Sequence, residues 1–503
     1  MSSKVFQPNS HHHGSPEHYS GVTDSPQVSK WIQAVLIELD EVRKHFKAGH
    51  VHDLRIALRR CRSVAVGVEQ LDPSPAWTRL RKASKRLLDA LGEVRDLQVM
   101  REWVSRLGMN RSESGLRLCA MLEVQERQAI RGARKQLDAV DEKQWRKWAR
   151  QLPERADHIR CGSPAAELLA LQGWREAWEL HKTALRSRSK ISFHRLRVGI
   201  KRFRYSVESF LPGRYARWGG ELKKLQDLLG EMHDLDVLWA ALLRMRPVLT
   251  AEEREKWHAI IERERARRMA GYRAKMAGPN SRWEVWRSSL PEAYELERAR
   301  LDWLAVWAGY LDPYPVHSRY VARLALEIYD RFKEARVPIA VIPYGRILLE
   351  AAAILDDVGR VEGDRHHQKT SYKLIRKRTP PPGWSRARME AIARIARYHR
   401  GGLPTSRENH WARIPEKFQA GVMTLAGILR LATALASDRD STITNVSVEN
   451  VAGSLVIHAD GYKGEEPLAS RLAAARHLTE SLLHRAVVLE PTGVAAPEMA
   501  KPA

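Results

Sequence analysis

The sequence predicts a mainly α protein: duplicated helical bundles, followed by a further helical domain that carries a small C-terminal β-hairpin. Three observations predict it. From Trp31 to about Met276, and again from about Leu301 to Ser437, apolar residues recur every three or four positions among Glu, Arg, Lys, Ala and Leu, which is the period of an amphipathic helix. Two segments of the first region recur later in it, in the same order, which marks an internal duplication. Strand-type alternation is confined to Val446-Ser447-Val448 and Leu455-Val456-Ile457, separated by a turn containing Gly453.

In chain order, residues 1–28 are polar and rich in Ser, His and Pro, without the apolar stretch of a signal peptide, and read as a disordered leader. His11, His12 and His13 lie within it and read as a solvated tract. The first bundle repeat spans about 29–160, with a break at Leu71-Asp72-Pro73-Ser74-Pro75, and ends at Cys161-Gly162-Ser163-Pro164. The second spans about 165–285, breaks at Leu211-Pro212-Gly213, and closes a 29–285 domain near Gly278-Pro279-Asn280-Ser281. A second domain at 300–490 is interrupted at Asp312-Pro313-Tyr314-Pro315, Arg378-Thr379-Pro380-Pro381-Pro382-Gly383 and Gly401-Gly402-Leu403-Pro404. A helix from about Pro467 to Arg485 follows the hairpin, and 491–503 read as a disordered tail.

Charge narrows the function. With 85 Lys+Arg against 60 Asp+Glu the chain carries a formal +25, which favours acidic partners such as nucleic acid, polyphosphate or anionic lipid. Three cysteines, Cys61, Cys119 and Cys161, have no C-x-x-C spacing, so neither a disulfide framework nor a cysteine zinc site is supported and a reducing cytoplasm fits. No run of about 18 consecutive apolar residues suggests a membrane span.

The repeat places its basic residues with care. His52-Asp53-Leu54-Arg55-Ile56-Ala57-Leu58-Arg59-Arg60-Cys61-Arg62 is echoed by His194-Arg195-Leu196-Arg197-Val198-Gly199-Ile200-Lys201-Arg202-Phe203-Arg204. On a helix, His52, Arg55, Arg59 and Arg62 line one face, and His194, Arg197, Lys201 and Arg204 line the matching one, with Arg60 and Arg202 widening each stripe. Like charges one turn apart repel, so an anion that neutralises the face accounts for it, and phosphate oxygens suit the arginine fork. Downstream, Asp89-Ala90-Leu91-Gly92-Glu93-Val94-Arg95-Asp96-Leu97-Gln98-Val99 matches Asp227-Leu228-Leu229-Gly230-Glu231-Met232-His233-Asp234-Leu235-Asp236-Val237, preceded by Lys85 and Arg86 or by Lys223 and Lys224. Two plainer readings compete: a solvated basic face, and arginines paired internally with Asp89, Asp96, Asp227 or Asp234.

These residues carry a resemblance. His194 through Tyr205 fits the H-x-L-R-V-x-x-K-R-x-R-Y signature of the CHAD (conserved histidine α-helical) domain, and Leu229 through Val237 fits its second motif. The likeness covers roughly 28–285, and the first copy departs at Gln98, where the second has Asp236. It implies two pseudo-symmetric helical bundles around a basic channel that binds inorganic polyphosphate, with His52, Arg55, Arg59, Arg60, Arg62, Lys85, Arg86, His194, Arg197, Lys201, Arg202, Arg204, Lys223 and Lys224 as its lining.

The second domain scatters His317, Asp356-Asp357, His366-His367 and His399 along helical text, residue types that hold metal when they converge. Leu348 through Gly359, His366 through Tyr372, Ala396 through Arg400 and Leu425 through Ala436 resemble the C-terminal HD-type domain of the exopolyphosphatase/guanosine pentaphosphatase (Ppx/GppA) family. In active HD phosphohydrolases a His-Asp pair and a late Asp hold catalytic metal, whereas here the pair is Asp356-Asp357, and Thr433 and Ala436 stand at later carboxylate positions. The resemblance thus implies a degenerate site, with His317, Asp357, His366, His367 and His399 as remaining candidates, and no residue is assigned as catalytic. Lys369, Lys373, Arg376, Lys377, Arg378, Arg397 and Arg400 either extend a phosphate-binding surface or form a solvated patch.

The expected function is binding of inorganic polyphosphate in the cytoplasm, at polyphosphate granules, without a required cofactor; a divalent metal is a candidate only at the HD-like domain. The alternative is a metal-dependent phosphohydrolase acting through that domain on polyphosphate or a guanosine polyphosphate. Nucleic acid is disfavoured as partner, because the basic stripes lack interleaved aromatics and no DNA-reading motif occurs. No membrane association is expected.

Overall fold

The structure is a computed structural model that describes residues 25–245, 248–278, 281–403, 414–436, 443–451, 453–466 and 468–491. Most of the expected leader, including His11, His12 and His13, and the tail from 492 lie outside the described residues, as do Pro279, Asn280 and Pro404 at the expected breaks. The chain is mainly α, with one three-stranded sheet near its C-terminus.

The chain forms two compact units. Unit one comprises the chain up to Val64, Ala83–Gly162 and Gly173–Trp283; unit two comprises Ala65–Lys82, Ser163–Gln172 and the chain from Glu284 onward. The long helices α2 (Ala48–Val68), α3 (Pro75–Ala90) and α7 (Pro164–Ser187) each contribute residues to both units.

Unit one contains the duplication. The first copy uses α1 (Val28–His45), α2, α3, α4 (Gly92–Arg106), α5 (Glu113–Asp138) and α6 (Glu142–Ala156); the second uses α7, α8 (Lys190–Phe210), α9 (Pro212–Leu243) and α10 (Ala251–Met276). The histidine-led segments form α2 and α8. The downstream segment breaks at Leu91 into α3 and α4 in the first copy but runs unbroken as α9 in the second. Period accounts for the orientation: Val51, Leu54, Ala57, Leu58 and Cys61 are buried on α2, as are Phe193, Leu196, Ile200, Phe203 and Val207 on α8, so most of the basic residues between them are turned away from the core, while Arg204 is buried. Ser189 caps α8 through its hydroxyl, which accepts from Ser192 N, and Pro212 opens α9 at a position where its missing N–H costs nothing. Helices α4 and α9 pack together, which brings the two downstream motifs side by side.

Helices α11 (Arg282–Arg287) and α12 (Ala293–Ala308) lead into the body of unit two, which holds α13 (Pro315–Glu334), α14 (Gly345–Leu355), a short 3-10 segment Val358–Glu362, α15 (His367–Lys377), α16 (Arg386–Arg397) and α17 (Glu416–Leu435). Helix α17 is long and apolar enough to cross a membrane by length and composition; here it is a core helix, with Val422, Leu425, Ile428, Leu429, Leu431 and Leu435 buried. The expected hairpin is present as β1 (Val446–Val451) antiparallel to β2 (Ser454–Ala459). The sequence reading missed a third strand, β3 (Ala486–Pro491), which pairs parallel to β2 after the crossover helix α18 (Leu468–Leu483). Parallel pairing needs such a crossover, and a six-residue run beside the tail carries little local signal.

Candidate anion-binding site

Each copy builds the same small device. Arg55 on α2 lies against Gly92 at the start of α4, where an added Cβ would stand 4.0 Å from the guanidinium, and its Nη1 donates to Leu88 O at 2.9 Å. Arg197 on α8 lies against Gly230 of α9 in the same way, with the Cβ position 3.8 Å from its Nε. In both copies the motif arginine thus passes over the motif glycine, at a distance that an added Cβ would meet as an ordinary van der Waals contact. One turn on, Asp96 and Asp234 face these arginines, and burial raises both carboxyls even though Arg55, Arg197 and Arg95 act on Asp96, and Arg197, Lys201 and Arg95 on Asp234, in the opposite direction.

The two devices share one electrostatic neighbourhood. Burial, then Arg59, then the Arg95 and Arg197 cations of the same cluster push Arg55 down to about 10. Burial together with Arg197, Arg59 and Arg55 pushes the Lys201 ammonium down to about 6. Charges from both copies thus act on the same groups. Among the described residues, Arg59, Arg197 and Lys201 form no ion pair, and the buried Arg197 Nε has no hydrogen-bond partner. Among the described residues none of Asp89, Asp96, Asp227 and Asp234 forms an ion pair with an arginine, and the ion pair found for them is the exposed Lys85–Asp89 contact at 4.0 Å.

Histidines rim this cluster. His52 and His194 are exposed at the heads of their helices. His194 Nδ1 lies 3.4 Å from His233 Nδ1, and burial followed by Arg197 and His194 lowers His233 to about 4, so both rings are uncharged near neutral pH. Two site residues were missed: Arg95, which acts on His52, Arg55, Asp96 and Asp234, and His233, which occupies the same repeat position. Extending the stripe argument to the second motif would have found them.

Two residues assigned to the ligand do other work. Arg60 Nη2 binds Glu208 at 2.8 Å with its guanidinium 4.1 Å from the Trp31 ring centre, and Arg204 is 3.6 Å from the same buried carboxylate. Arg204 also donates to Gln226 Oε1 at 3.1 Å and to Tyr215 OH at 3.2 Å. One acid therefore clamps both arginines and ties α2 to α8. Arg202 is exposed 3.7 Å from Glu176, Arg62 is half-buried, and Arg86, Lys223 and Lys224 are exposed, with Lys224 3.9 Å from Glu221.

In unit two the structure gathers three of the five metal candidates. Asp357, His367 and His399 are all buried, with one donor atom each lying within 4.8 Å of the others. His366 is exposed at φ 60° ahead of α15, and His317 is on α13 outside this group. Thr433, at a later carboxylate position, donates to Leu429 O at 2.8 Å within its own helix. Of the basic residues here, Arg376 is paired with Glu390 at 2.7 Å and Arg378 donates to Gln70 O over the Trp307 ring, while Lys369, Lys373 and Lys377 form an exposed row on α15.

Comparison with known proteins agrees with the architecture. The CHAD domain family model matches residues 27–243, and the model for Ppx/GppA phosphatase, domain III, matches residues 315–471. The crystal structure of the CHAD domain from the plant Ricinus communis is similar at 20% identity, covering 55% of this chain and 96% of that one with a TM-score of 0.37. No curated protein matches the chain. The chain carries a CHAD domain followed by a Ppx/GppA phosphatase domain III.

Proposed function

We propose that unit one binds inorganic polyphosphate where the two copies meet. One observation carries this reading: Arg55 and Arg59 from one copy stand close enough to Arg197 and Lys201 of the other that Arg59 weakens the hold on a proton of Arg197, Arg59 and Arg55 that of Lys201, and Arg197 that of Arg55, while Arg59, Arg197 and Lys201 have no ion-pair partner among the described residues. Half-buried like charges raise the free energy of the free protein, and a polyanion relieves that repulsion. The cluster offers N–H donors to an anion, and a phosphate chain offers only acceptors, so the chemistries are complementary. The nearby tryptophans lie under arginines, Trp31 beneath Arg60 and Trp103 beneath Arg106, rather than presenting open faces on which bases stack. The CHAD match supports the same ligand, since that domain is associated with polyphosphate binding.

The test is competition at fixed salt. Labelled long-chain polyphosphate bound to the full chain is displaced by unlabelled polyphosphate, RNA or DNA, and polyphosphate should compete best. Replacing Arg59, Arg197 and Lys201 together by Ala should weaken binding by about 100-fold or more, at roughly 1.5–3 kcal/mol for each charge-assisted contact. Unchanged affinity in that triple variant would end the reading.

A further inference from the structure

We propose that the open cavity of about 390 Å³ at the N-terminus of α14 in unit two binds a nucleoside monophosphate, with its phosphate at the helix end and its base at the rim. The cavity shares no residue with the Asp357, His367 and His399 group. Hydrogen-bond donors without acceptors meet in it. Tyr344 at the head of α14 supplies no side-chain cap, and although Gly345 N donates to Ile342 O at 3.1 Å, the N–H groups of Arg346 and Ile347 have no acceptor among the described residues. Such a helix end draws an anion through its N–H groups and its dipole. A buried side chain points to the same place. Tyr329 of α13 is only 5% exposed, its hydroxyl has no hydrogen-bond partner among the described residues, and it stands 3.2 Å from where a Cβ on Gly345 would lie. Burial and the neighbouring Asp330 hold that hydroxyl above its ordinary value, so it stays protonated and able to donate. A buried hydroxyl without a partner costs free energy that an acceptor in the cavity restores. Lys333, one turn further along α13, also lines the cavity and forms no ion pair among the described residues.

The remaining lining selects the rest of the ligand. Leu301 and Ile342 are buried and give the cavity an apolar floor, while Tyr294 and Tyr344 stand at its rim, 71% and 56% exposed. Two large rings left open to solvent beside an apolar floor suit a planar ring stacked on them. The Arg388 guanidinium, 3.9 Å from the Tyr344 ring centre, steadies that side of the rim. Two carboxylates also line the cavity, and they differ. Glu297 is engaged by Arg300 at 2.7 Å, Trp384 Nε1 at 2.9 Å and Arg388 at 3.5 Å, whereas Glu350 has Arg298 at 3.7 Å and keeps capacity to accept from a hydroxyl or N–H. The Arg346 guanidinium is held by Asp330 at 3.1 Å, so the helix end, Tyr329 and Lys333 are left to take the anion. The matching ligand combines a phosphate, a planar ring and hydrogen-bond donors between them, which is the chemistry of a nucleoside monophosphate. The cavity volume is within the range of about 300–1,000 Å³ usual for small-molecule sites. The competing arrangement is a surface groove whose helix end is satisfied by water alone.

The site is independent of polyphosphate binding by unit one, and its test is calorimetric titration of the full chain with AMP, GMP and UMP at fixed ionic strength. At least one of them should bind at a single site per chain, with inorganic phosphate and adenosine each at least 10-fold weaker. Tyr329→Phe should lower that affinity about 10-fold without lowering the denaturation midpoint, because the hydroxyl has no partner to lose in the free protein. Lys333→Ala, an exposed change, should lower it about 5-fold. Replacing Arg59, Arg197 and Lys201 of unit one together by Ala should leave nucleotide affinity unchanged, which separates this site from the cationic cluster. The proposal would be overturned by the lack of saturable binding for all three nucleotides, by inorganic phosphate or adenosine binding as tightly as they do, or by unchanged affinity in both Tyr329→Phe and Lys333→Ala. Loss of nucleotide binding in the unit one variant would overturn it equally.

Discussion

Lys201 is the residue at which the cost of the cationic cluster is concentrated. Its ammonium is half-buried beside Arg197, Arg59 and Arg55, and burial together with those neighbours brings it down to about 6, so at pH 7.5 the free protein holds it largely uncharged. A polyanion reverses the balance of neighbouring charge and raises that value, so binding takes up a proton. The sign follows: affinity should fall as pH rises from about 6 toward the value Lys201 acquires in the complex, by up to about tenfold per pH unit. Arginine stays charged throughout this range, so Lys201→Arg should bind with a flatter pH profile. Dissociation constants at pH 6 to 9 and fixed ionic strength check this, and superimposable profiles for the two proteins would contradict it. His194 and His233 add to the pH dependence only under more acidic conditions, because burial and the neighbouring cations hold both below their ordinary value.

At the scale of elements, the fold keeps two kinds of arginine apart on the same helices. Arg55 and Arg197 pass over motif glycines and face the shared cluster, whereas Arg60 of α2 and Arg204 of α8 converge on Glu208. This carboxylate is 7% exposed, so removing its charge leaves two guanidinium groups without their anion at the α2–α8 junction. Glu208→Gln should therefore destabilise the protein by roughly 3 kcal/mol, read as a shift in the denaturant midpoint. By contrast, Glu176→Gln removes only an exposed contact to Arg202 and should cost under about 1 kcal/mol. Equal, small effects would show that Glu208 does not hold the copies together. The clamp was not legible in the sequence: Arg204 and Glu208 are one helical turn apart, but Arg60 comes from the other copy and nothing in its spacing distinguishes it from Arg59.

Over the whole molecule, what could be read from the sequence was what repeats or alternates. The two basic stripes, the helical character and the β1–β2 hairpin each follow from a period, and the duplication pointed to His52, Arg55, Arg59 and Arg62 with His194, Arg197, Lys201 and Arg204, without separating the cluster residues from Arg204, which is turned to Glu208. Convergence was not legible, because it depends on packing between distant segments. The order of residues gives no sign that α4 meets α9, that 65–82 and 163–172 cluster with the later chain, or that Asp357, His367 and His399 meet while His317 and His366 stay out. Whether the two copies form one grip is itself a matter of convergence. It is tested most directly by polyphosphate affinities of Arg59→Ala, Lys201→Ala and the double variant, taken as a thermodynamic cycle at fixed salt. The prediction is that each single variant loses about tenfold or more and that the double variant departs from the sum of the two, since both residues act on the same anion and on each other. A loss confined to one copy, or strictly additive losses, would contradict a shared site.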